Sequence, residues 1–287
     1  MNKDQNNSNH EQVDRHSKYF LSGGTFKWTQ KEETIRTELL RKIAERPLVR
    51  QLPVQKIWTV AAGILLLAGI VSFLRFYSTN ITVPAGIHQT AMLPDGSSVE
   101  MNAESSLTYY PFWWPFERKL KFKGEGFFSV QKGKNFAVQS KMGTTQVMGT
   151  SFNIFSREEI YRVTCVTGKV RVGNSPDNKV VLLPNSQAEI LANGEIHVSK
   201  EVDVTSEISW KNNIFLFTAM PLRQVFKEIE RQYAVKIEVE VPVNQLYTGN
   251  FNRTSKIEDV LSFVCPAAGL KFEKKSADVY IISPDLE

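Results

Sequence analysis

The side chains that could carry out catalysis in this sequence are two pairs of serines, Ser97–Ser98 and Ser105–Ser106, and the glutamate pair Glu158–Glu159. A serine hydroxyl becomes a nucleophile when a histidine accepts its proton and an acidic group orients that histidine. None of these serines has such a histidine nearby in the sequence. The two glutamates could form an acid and base pair, but their position between two apolar runs is more typical of a solvated hairpin tip. We therefore predict that the chain is not an enzyme.

Metal ligands are too few and too scattered to predict a metal site. The four histidines are at positions 10, 16, 88 and 197, and the only cysteines are Cys165 and Cys265. Two cysteines cannot form a zinc ribbon or a disulfide scaffold. They could pair with each other in an oxidising compartment. Each lies in an apolar pattern of a separate predicted domain, however, which favours two buried free thiols. We predict no metal and no cofactor.

One uninterrupted apolar run divides the chain. Residues 57–74 contain no charged side chain and are bracketed by Lys56 and Arg75. Eighteen helical residues rise about 27 Å, close to the hydrocarbon thickness of a bilayer. Trp58, Phe76 and Tyr77 lie at the two ends, where interfacial aromatic residues are expected. We predict a membrane-spanning helix over 57–77. A buried core helix is the alternative, and a cleaved signal peptide is disfavoured by the 56 residues that precede the run.

The distribution of charge predicts the orientation of this helix. The net charge of +5 arises almost entirely before the apolar run, since residues 1–56 carry +4 and residues 78–287 are neutral. That pattern argues against a nucleic-acid partner and for a membrane flank. Five basic residues lie within 37–56, against one within 75–94. This asymmetry places the N-terminus in the cytoplasm.

The cytoplasmic segment, residues 1–56, contains one clear helical pattern. Thr29 and Glu32 form a capping box, and an apolar stripe follows it. The stripe consists of Ile35, Leu39, Leu40 and Ile43. So short a segment cannot bury this stripe alone. The helix either lies on the membrane surface as a linker or docks onto a partner protein.

Two domains are predicted after the membrane helix. Residues 78–205 contain many short alternating strands separated by turns, which is typical of an all-β sandwich, barrel or rolled sheet. An aromatic segment within it, 111–116, either packs in the core or forms an exposed contact surface. Residues 210–287 follow the order β-α-β-β-α-β-β, a small α+β fold. We expect Pro221 in the first turn of its first helix and a capping box, Ser255-x-x-Glu258, at the second.

Four sequence blocks resemble the FecR domain of membrane-bound sigma-factor regulators. They are LPDGSSVEMNAESSLTYYP (93–111), KGEGFFSVQKGKNFAVQS (123–140), VMGTSFNIFS (147–156) and VTCVTGKVRV (163–172). The last domain is similar to the C-terminal domain of many FecR-like proteins, which is related to short N-terminal domains of secretins and TonB-dependent receptors. The residues that carry this second resemblance are Trp210, Phe215, Phe217, Pro221, Leu222, Val225, Ile229, Glu230 and Tyr233.

The resemblance implies a single-pass anti-sigma factor of the cell inner membrane, with its C-terminus in the periplasm. It implies that Ile35, Leu39, Leu40 and Ile43 contact an extracytoplasmic-function sigma factor. The periplasmic domains would bind the signalling domain of a TonB-dependent outer-membrane transporter, with no direct nucleic-acid contact. Some FecR-like proteins are cut at the Gly-Thr pair of this motif, so the resemblance offers self-cleavage between Gly149 and Thr150 as one interpretation, and the alternative is that Gly149 forms a bulge and Thr150 is an ordinary strand residue. The rival hypothesis is a membrane-anchored scaffold or glycan-binding protein without a sigma partner.

Overall fold

A computed structural model of the chain describes residues 32–45 and 54–285. Its first two elements are helices, α1 (Glu32–Ala44) and α2 (Val54–Phe76). The predicted cap at Thr29 lies outside the described residues. Within α2, the 20 residues Ile57–Phe76 have a mean hydropathy of 2.3, and none of them is buried. A core helix of a soluble protein would be mostly buried, so the structure favours a helix that could cross a membrane.

The first domain consists of strands, as the alternating patterns predict. Its strands are β1 (Thr79–Val83), β2 (Gln89–Met92), β3 (Ser98–Met101), β4 (Ser105–Tyr109), β5 (Arg118–Ser129), β6 (Phe136–Gln139), β7 (Thr144–Val147), β8 (Ser151–Arg157), β9 (Ile160–Thr167), β10 (Val170–Gly173), β11 (Lys179–Leu182), β12 (Ser186–Ile190) and β13 (Ile196–Lys200).

The long strand β5 belongs to two sheets at once. Its first half lies in a sheet of order β1-β4-β5-β6-β7-β10-β11. Its second half lies in a sheet of order β2-β3-β5-β8-β9-β12-β13. Nearly all pairings are antiparallel, and β5-β6 is parallel. Residues of both sheets share one buried core, and a 2.7 Å hydrogen bond between Thr145 Oγ1 of β7 and Tyr161 Oη of β9 links the sheets inside it.

Gly124 allows β5 to pass from one sheet to the other. Its φ is +107°, a conformation that side chains disfavour. A Cβ at this position would lie 2.3 Å from Ser105 Oγ of the neighbouring strand β4. The Ser105 hydroxyl donates to the Glu125 carbonyl and accepts from the Glu125 amide, both at 3.0 Å. The bend therefore fixes the residue that follows it, Glu125.

The second domain is a small α+β unit. Its elements are β14 (Ile214–Pro221), α4 (Leu222–Tyr233), β15 (Lys236–Val239), β16 (Leu246–Asn252), α5 (Ile257–Val264), β17 (Leu270–Ser276) and β18 (Val279–Pro284), preceded by the short helix α3 (Val204–Glu207) and a 3-10 turn, Ser209–Asn212. Strand β14 pairs antiparallel with β16, and β18 lies between β15, to which it is parallel, and β17. The apolar sides of both helices pack into one core.

Two expectations about the helix starts are wrong. Pro221 ends β14 and precedes the first turn of α4, since its φ and ψ of −53° and 125° are not helical. Helix α5 begins at Ile257 after Lys256, and no side chain caps it. The carboxylate of Glu258 does not complete the expected capping box. It accepts hydrogen bonds from Tyr280 Oη at 2.6 Å and Lys274 Nζ at 2.9 Å instead.

Candidate functional site

The four residues predicted to contact a partner lie on α1. Leu39, Leu40 and Ile43 are each more than half exposed, and Ile35 is half-buried. No other described residue of α1 is buried. The helix thus leaves its apolar side chains in solvent, which is unfavourable unless another surface covers them.

The predicted cleavage pair lies where the chain leaves β7 and enters β8, between the two sheets. Gly149 has φ +144°, and a Cβ there would lie 2.7 Å from Lys132 Cα, so only glycine fits. Backbone hydrogen bonds hold both sides of the pair, from Gly133 N to Met148 O at 2.9 Å and from Val130 N to Thr150 O at 3.0 Å. Thr150 Oγ1 is buried and has no hydrogen-bond partner among the described residues. The hydroxyl of Thr150 is therefore buried next to a conformationally constrained glycine and is not engaged in a hydrogen bond with a described residue.

A third site was not predicted from the sequence: a buried polar cluster where the two domains meet. We call it the domain junction, and it comprises Asn102, Glu125, Asn153, Glu158, Glu228, Arg231 and Gln232. The first four belong to the first domain, which we call the β domain. The last three lie on one side of α4, at spacings of three and four residues. All except Glu158 are buried. Polar groups in such a position must satisfy one another.

Glu125 is the centre of the hydrogen-bond network in the β domain. Asn102 Nδ2 donates to one of its carboxylate oxygens at 2.8 Å, and Asn153 Nδ2 donates to the other at 3.2 Å. The network crosses to the second domain at two points. Gln232 Nε2 donates to Asn102 Oδ1 at 2.8 Å, and Trp210 Nε1 donates to Asn153 Oδ1 at 3.3 Å.

Glu228 is the corresponding acidic group of the second domain. Arg231 Nε donates to it at 2.9 Å and Gln232 Nε2 at 2.7 Å. Arg231 also reaches the β domain, where its Nη1 lies 3.3 Å from Glu158 Oε1, and Lys227 Nζ lies 3.1 Å from the same oxygen. The glutamate pair interpreted as a solvated hairpin tip is indeed the tip of the β8-β9 hairpin. One of its members, however, forms ion pairs with the second domain.

Apolar contacts reinforce these polar links. Phe127, which follows Glu125 on β5, is buried in the core of the second domain rather than its own. Lys211 Nζ lies 3.6 Å above its ring and 3.0 Å from Glu100 Oε1. Such an arrangement combines a charge over an aromatic ring with an ion pair. Removing the second domain would expose Phe127.

The two junction carboxyl groups have opposite pKa shifts. Burial raises the pKa of Glu125, the nearby Glu228 adds to the rise, and Arg157 together with the hydrogen bonds from Asn102 and Asn153 opposes it, which leaves a pKa of about 7. Burial alone would also raise the pKa of Glu228, but the guanidinium groups of Arg231 and Arg157 outweigh it and the net direction is downward. Burial lowers the pKa of His88, which contacts Gln232 at 3.0 Å. The junction therefore holds one carboxylate firmly ionised and one that titrates near neutral pH.

Both cysteines are buried free thiols, one in each domain core. Burial raises the pKa of Cys165 to about 11 and that of Cys265 to about 12. Within residues 32–45 and 54–285, no group of three or more His, Cys, Asp or Glu side chains is placed to hold a metal ion.

Comparison with known proteins assigns both domains. The family described as "FecR protein" matches residues 79–171, and that described as "FecR, C-terminal" matches residues 214–281. Two crystal structures of a "putative anti-sigma factor" from Parabacteroides distasonis, at 2.50 and 1.65 Å resolution, are similar with TM-scores of 0.66 and 0.65. Each is 28% identical and covers 72% of this chain and 99% of its own. None of the curated proteins matches the chain significantly.

The titration of Glu125 predicts a pH-dependent stability. Its folded-state pKa of about 7 lies above the ordinary value of 4.5, so its contribution to stability is complete at low pH and is lost as the pH rises toward 7. From pH 6 to pH 8 this loss is about 1 kcal/mol. Glu228 stays ionised over this range, because its pKa is lowered from an ordinary value of 4.5 that already lies below pH 6. We expect Glu125→Gln to abolish most of the difference in unfolding free energy between pH 6 and pH 8.

The control is Glu240→Gln, which removes an exposed carboxylate of the second domain. It should leave the pH dependence of the unfolding midpoint as in the unsubstituted protein. A pH dependence that survives in Glu125→Gln would show that another group titrates.

Proposed function

Since the chain belongs to the FecR family, we propose that it is an anti-sigma factor anchored in a membrane by α2. Both domains of the family are present in order, and the similar solved structures are of a protein described as a "putative anti-sigma factor". In the finer form of the proposal, the membrane is the cell inner membrane. Residues 1–56 lie in the cytoplasm and bind an extracytoplasmic-function sigma factor. The two domains lie in the periplasm and bind the signalling domain of a TonB-dependent transporter.

The observation that carries this proposal is the uncovered apolar stripe of α1. Leu39, Leu40 and Ile43 are 55%, 58% and 56% exposed. Burying one such side chain contributes roughly 1.5–3 kcal/mol, so a groove that accepts the stripe gains substantial affinity. The stripe lies in the segment on the basic flank of α2, the side where the charge asymmetry favours cytoplasm.

The stripe can be tested by charge substitution in the full-length protein. Leu39→Asp or Leu40→Asp would place an unpaired carboxylate in the docking groove and should weaken sigma-factor binding by several kcal/mol. We expect the sigma factor to co-purify with the solubilised wild-type protein and to be lost from these variants at equal membrane abundance. Expression of the regulated genes should change in parallel.

The matched control is Thr37→Asp, which introduces the same charge on the other side of α1. It should retain the sigma factor. Equal loss in the control and in Leu39→Asp would indicate a general effect of charge on the helix. Absence of any sigma factor from the wild-type preparation would instead support the rival scaffold or glycan-binding function.

The orientation has its own test. A reporter enzyme that is active only in the periplasm should be active when fused after Thr79 and silent when fused after Arg50. The reason is the excess of five basic residues to one across the apolar run. A reversed pattern would place the two domains in the cytoplasm and would contradict the proposed partners on both sides.

We propose that the signal is transmitted by cleavage and release of the inner segment, because a single anchor helix transmits torque poorly. The first break would be self-cleavage at Gly149-Thr150. The Thr150 hydroxyl oxygen attacks the Gly149 carbonyl carbon, the peptide C–N bond breaks, and the hydroxyl proton passes to the released Thr150 amine. Water then hydrolyses the ester, which leaves a Gly149 carboxylate and restores the Thr150 hydroxyl. The positive φ of Gly149 and the unpartnered buried hydroxyl support this step.

Denaturing gels and N-terminal sequencing of the purified full chain test the cleavage. We expect two fragments, of which the second begins at Thr150. Thr150→Ala should abolish cleavage because it lacks a nucleophile, and Thr150→Ser should retain it. Ser151→Ala removes the adjacent hydroxyl and should cleave normally. Intact chain in cells and after purification would contradict the proposal.

A further inference from the structure

The aromatic segment of the β domain, Tyr110–Phe116, lies against the end of the apolar helix. We call it the aromatic loop. The Phe112 ring centroid is 6.5 Å from that of Phe73, which is part of the apolar span, and 5.3 Å from that of Tyr77. Only two residues separate the end of α2 at Phe76 from the start of β1 at Thr79. The loop is therefore held beside the last turn of α2, at the same height along the helix axis.

Arg75 joins the loop to the helix. Its guanidinium carbon lies 4.8 Å from the Trp113 ring centroid and 5.8 Å from that of Tyr110, and its own neighbour Phe76 lies at 5.7 Å. A guanidinium over aromatic faces is a favourable cation–π arrangement. The last charged residue of the helix is thus engaged by three aromatic rings.

The sequence allowed either core packing or an exposed contact surface for this segment, and the structure shows both, because some of its residues are buried and others are exposed. Trp114 is 2% exposed and packs edge-on against Tyr109 and Phe136, which fixes the loop to the β domain. Phe116 is 71% exposed and Phe112 49%. Exposed large apolar side chains on one rigid loop, next to an exposed Phe76, mark a contact surface rather than a core.

A row of lysines continues this surface along β5. Lys119, Lys121 and Lys123 alternate with the buried Leu120 and Phe122, so they lie on the outer face of the sheet. Lys119 and Lys121 line a cleft of about 180 Å³ together with Arg75 and Trp113. Lys119 pairs weakly with Glu117 at 3.7 Å, whereas Lys121 and Lys123 form no ion pair with any described residue.

We propose that the aromatic loop inserts into the interface of the bilayer at the end of α2, and that Lys121 and Lys123 contact lipid phosphates there. This inference rests on the proposed membrane span. Phe73 belongs to that span, and the ring of Phe112 lies beside the ring of Phe73. A bilayer that surrounds Phe73 therefore also reaches Phe112. Aromatic side chains favour this depth, and lysines favour anionic headgroups just outside it. The membrane thus has two attachments to the chain, the helix and the β domain.

The test places single cysteines in the full chain, labels them with an environment-sensitive fluorophore, and reconstitutes the protein in vesicles of phosphatidylethanolamine and phosphatidylglycerol. Phe116→Cys reports the loop. Phe263→Cys on α5 is the matched control, because Phe263 is 73% exposed. Leu66→Cys, in the middle of the apolar span, reports the span itself. The native Cys165 and Cys265 are fully buried and should not label, which the unsubstituted protein verifies.

We expect the Phe116 label to show blue-shifted emission and quenching by nitroxide-labelled lipids, and the Phe263 label to be quenched by a water-soluble collisional quencher instead. A Phe116 label in water with a Leu66 label in hydrocarbon would overturn the inference and leave the span intact. Both labels in water would overturn the span and the inference together. A Phe116 label shielded from water yet unaffected by the lipid quencher would mean that protein covers the loop, which also overturns the inference.

The lysine contacts have a separate readout. In vesicles of zwitterionic lipid only, or in a Lys121→Glu, Lys123→Glu variant, the Phe116 label should move toward water and its emission should shift to the red. An unchanged depth in both cases would overturn the proposed phosphate contacts while supporting insertion of the aromatic loop.

Discussion

A buried carboxyl group governs how the two domains fit together. Glu125 follows the glycine bend at which one strand changes sheets, and neither of its oxygens could be left without a hydrogen bond. The two asparagines that satisfy it are themselves held by Gln232 and Trp210 of the next domain. The hydrogen-bond network around Glu125 is therefore completed by Gln232 and Trp210, which lie 130 and 57 residues further along the chain than the asparagines they bind. The bend, the carboxyl group and the docking of α4 form one connected arrangement.

This dependence explains what could be predicted from the sequence. Alternating strands such as that around Val163, and the apolar side of α4, are local patterns, and both are seen in the structure. The apolar stripe of α1 is equally local. The role of Glu228 and Arg231 is not, because on a helical projection they lie on the polar side that would normally be solvated. Only the position of the other domain shows that this side is buried.

Two other features depended on contacts that no sequence pattern records. Ser255 and Glu258 have the spacing of a capping box. In the structure, however, the Glu258 carboxylate binds Tyr280 and Lys274 of the later β17-β18 hairpin instead. The sequence does not decide between core and surface for the aromatic loop, because its residues serve different surfaces. Trp114 fills the core, whereas Phe116, two residues later, stays outside, and composition alone does not separate a buried aromatic residue from an exposed one.

The placement of one thiol in each core has a consequence for how the protein must fold. In the oxidising compartment that we propose for these domains, two exposed thiols on one chain would be expected to join. Here each sulfur is shielded by its own core and kept protonated by burial, so neither is available as a thiolate. That shield exists only after both domains have closed. Both domains therefore have to fold faster than their thiols are oxidised. A chain oxidised before folding would carry a disulfide between Cys165 and Cys265, which the folded structure keeps in separate cores.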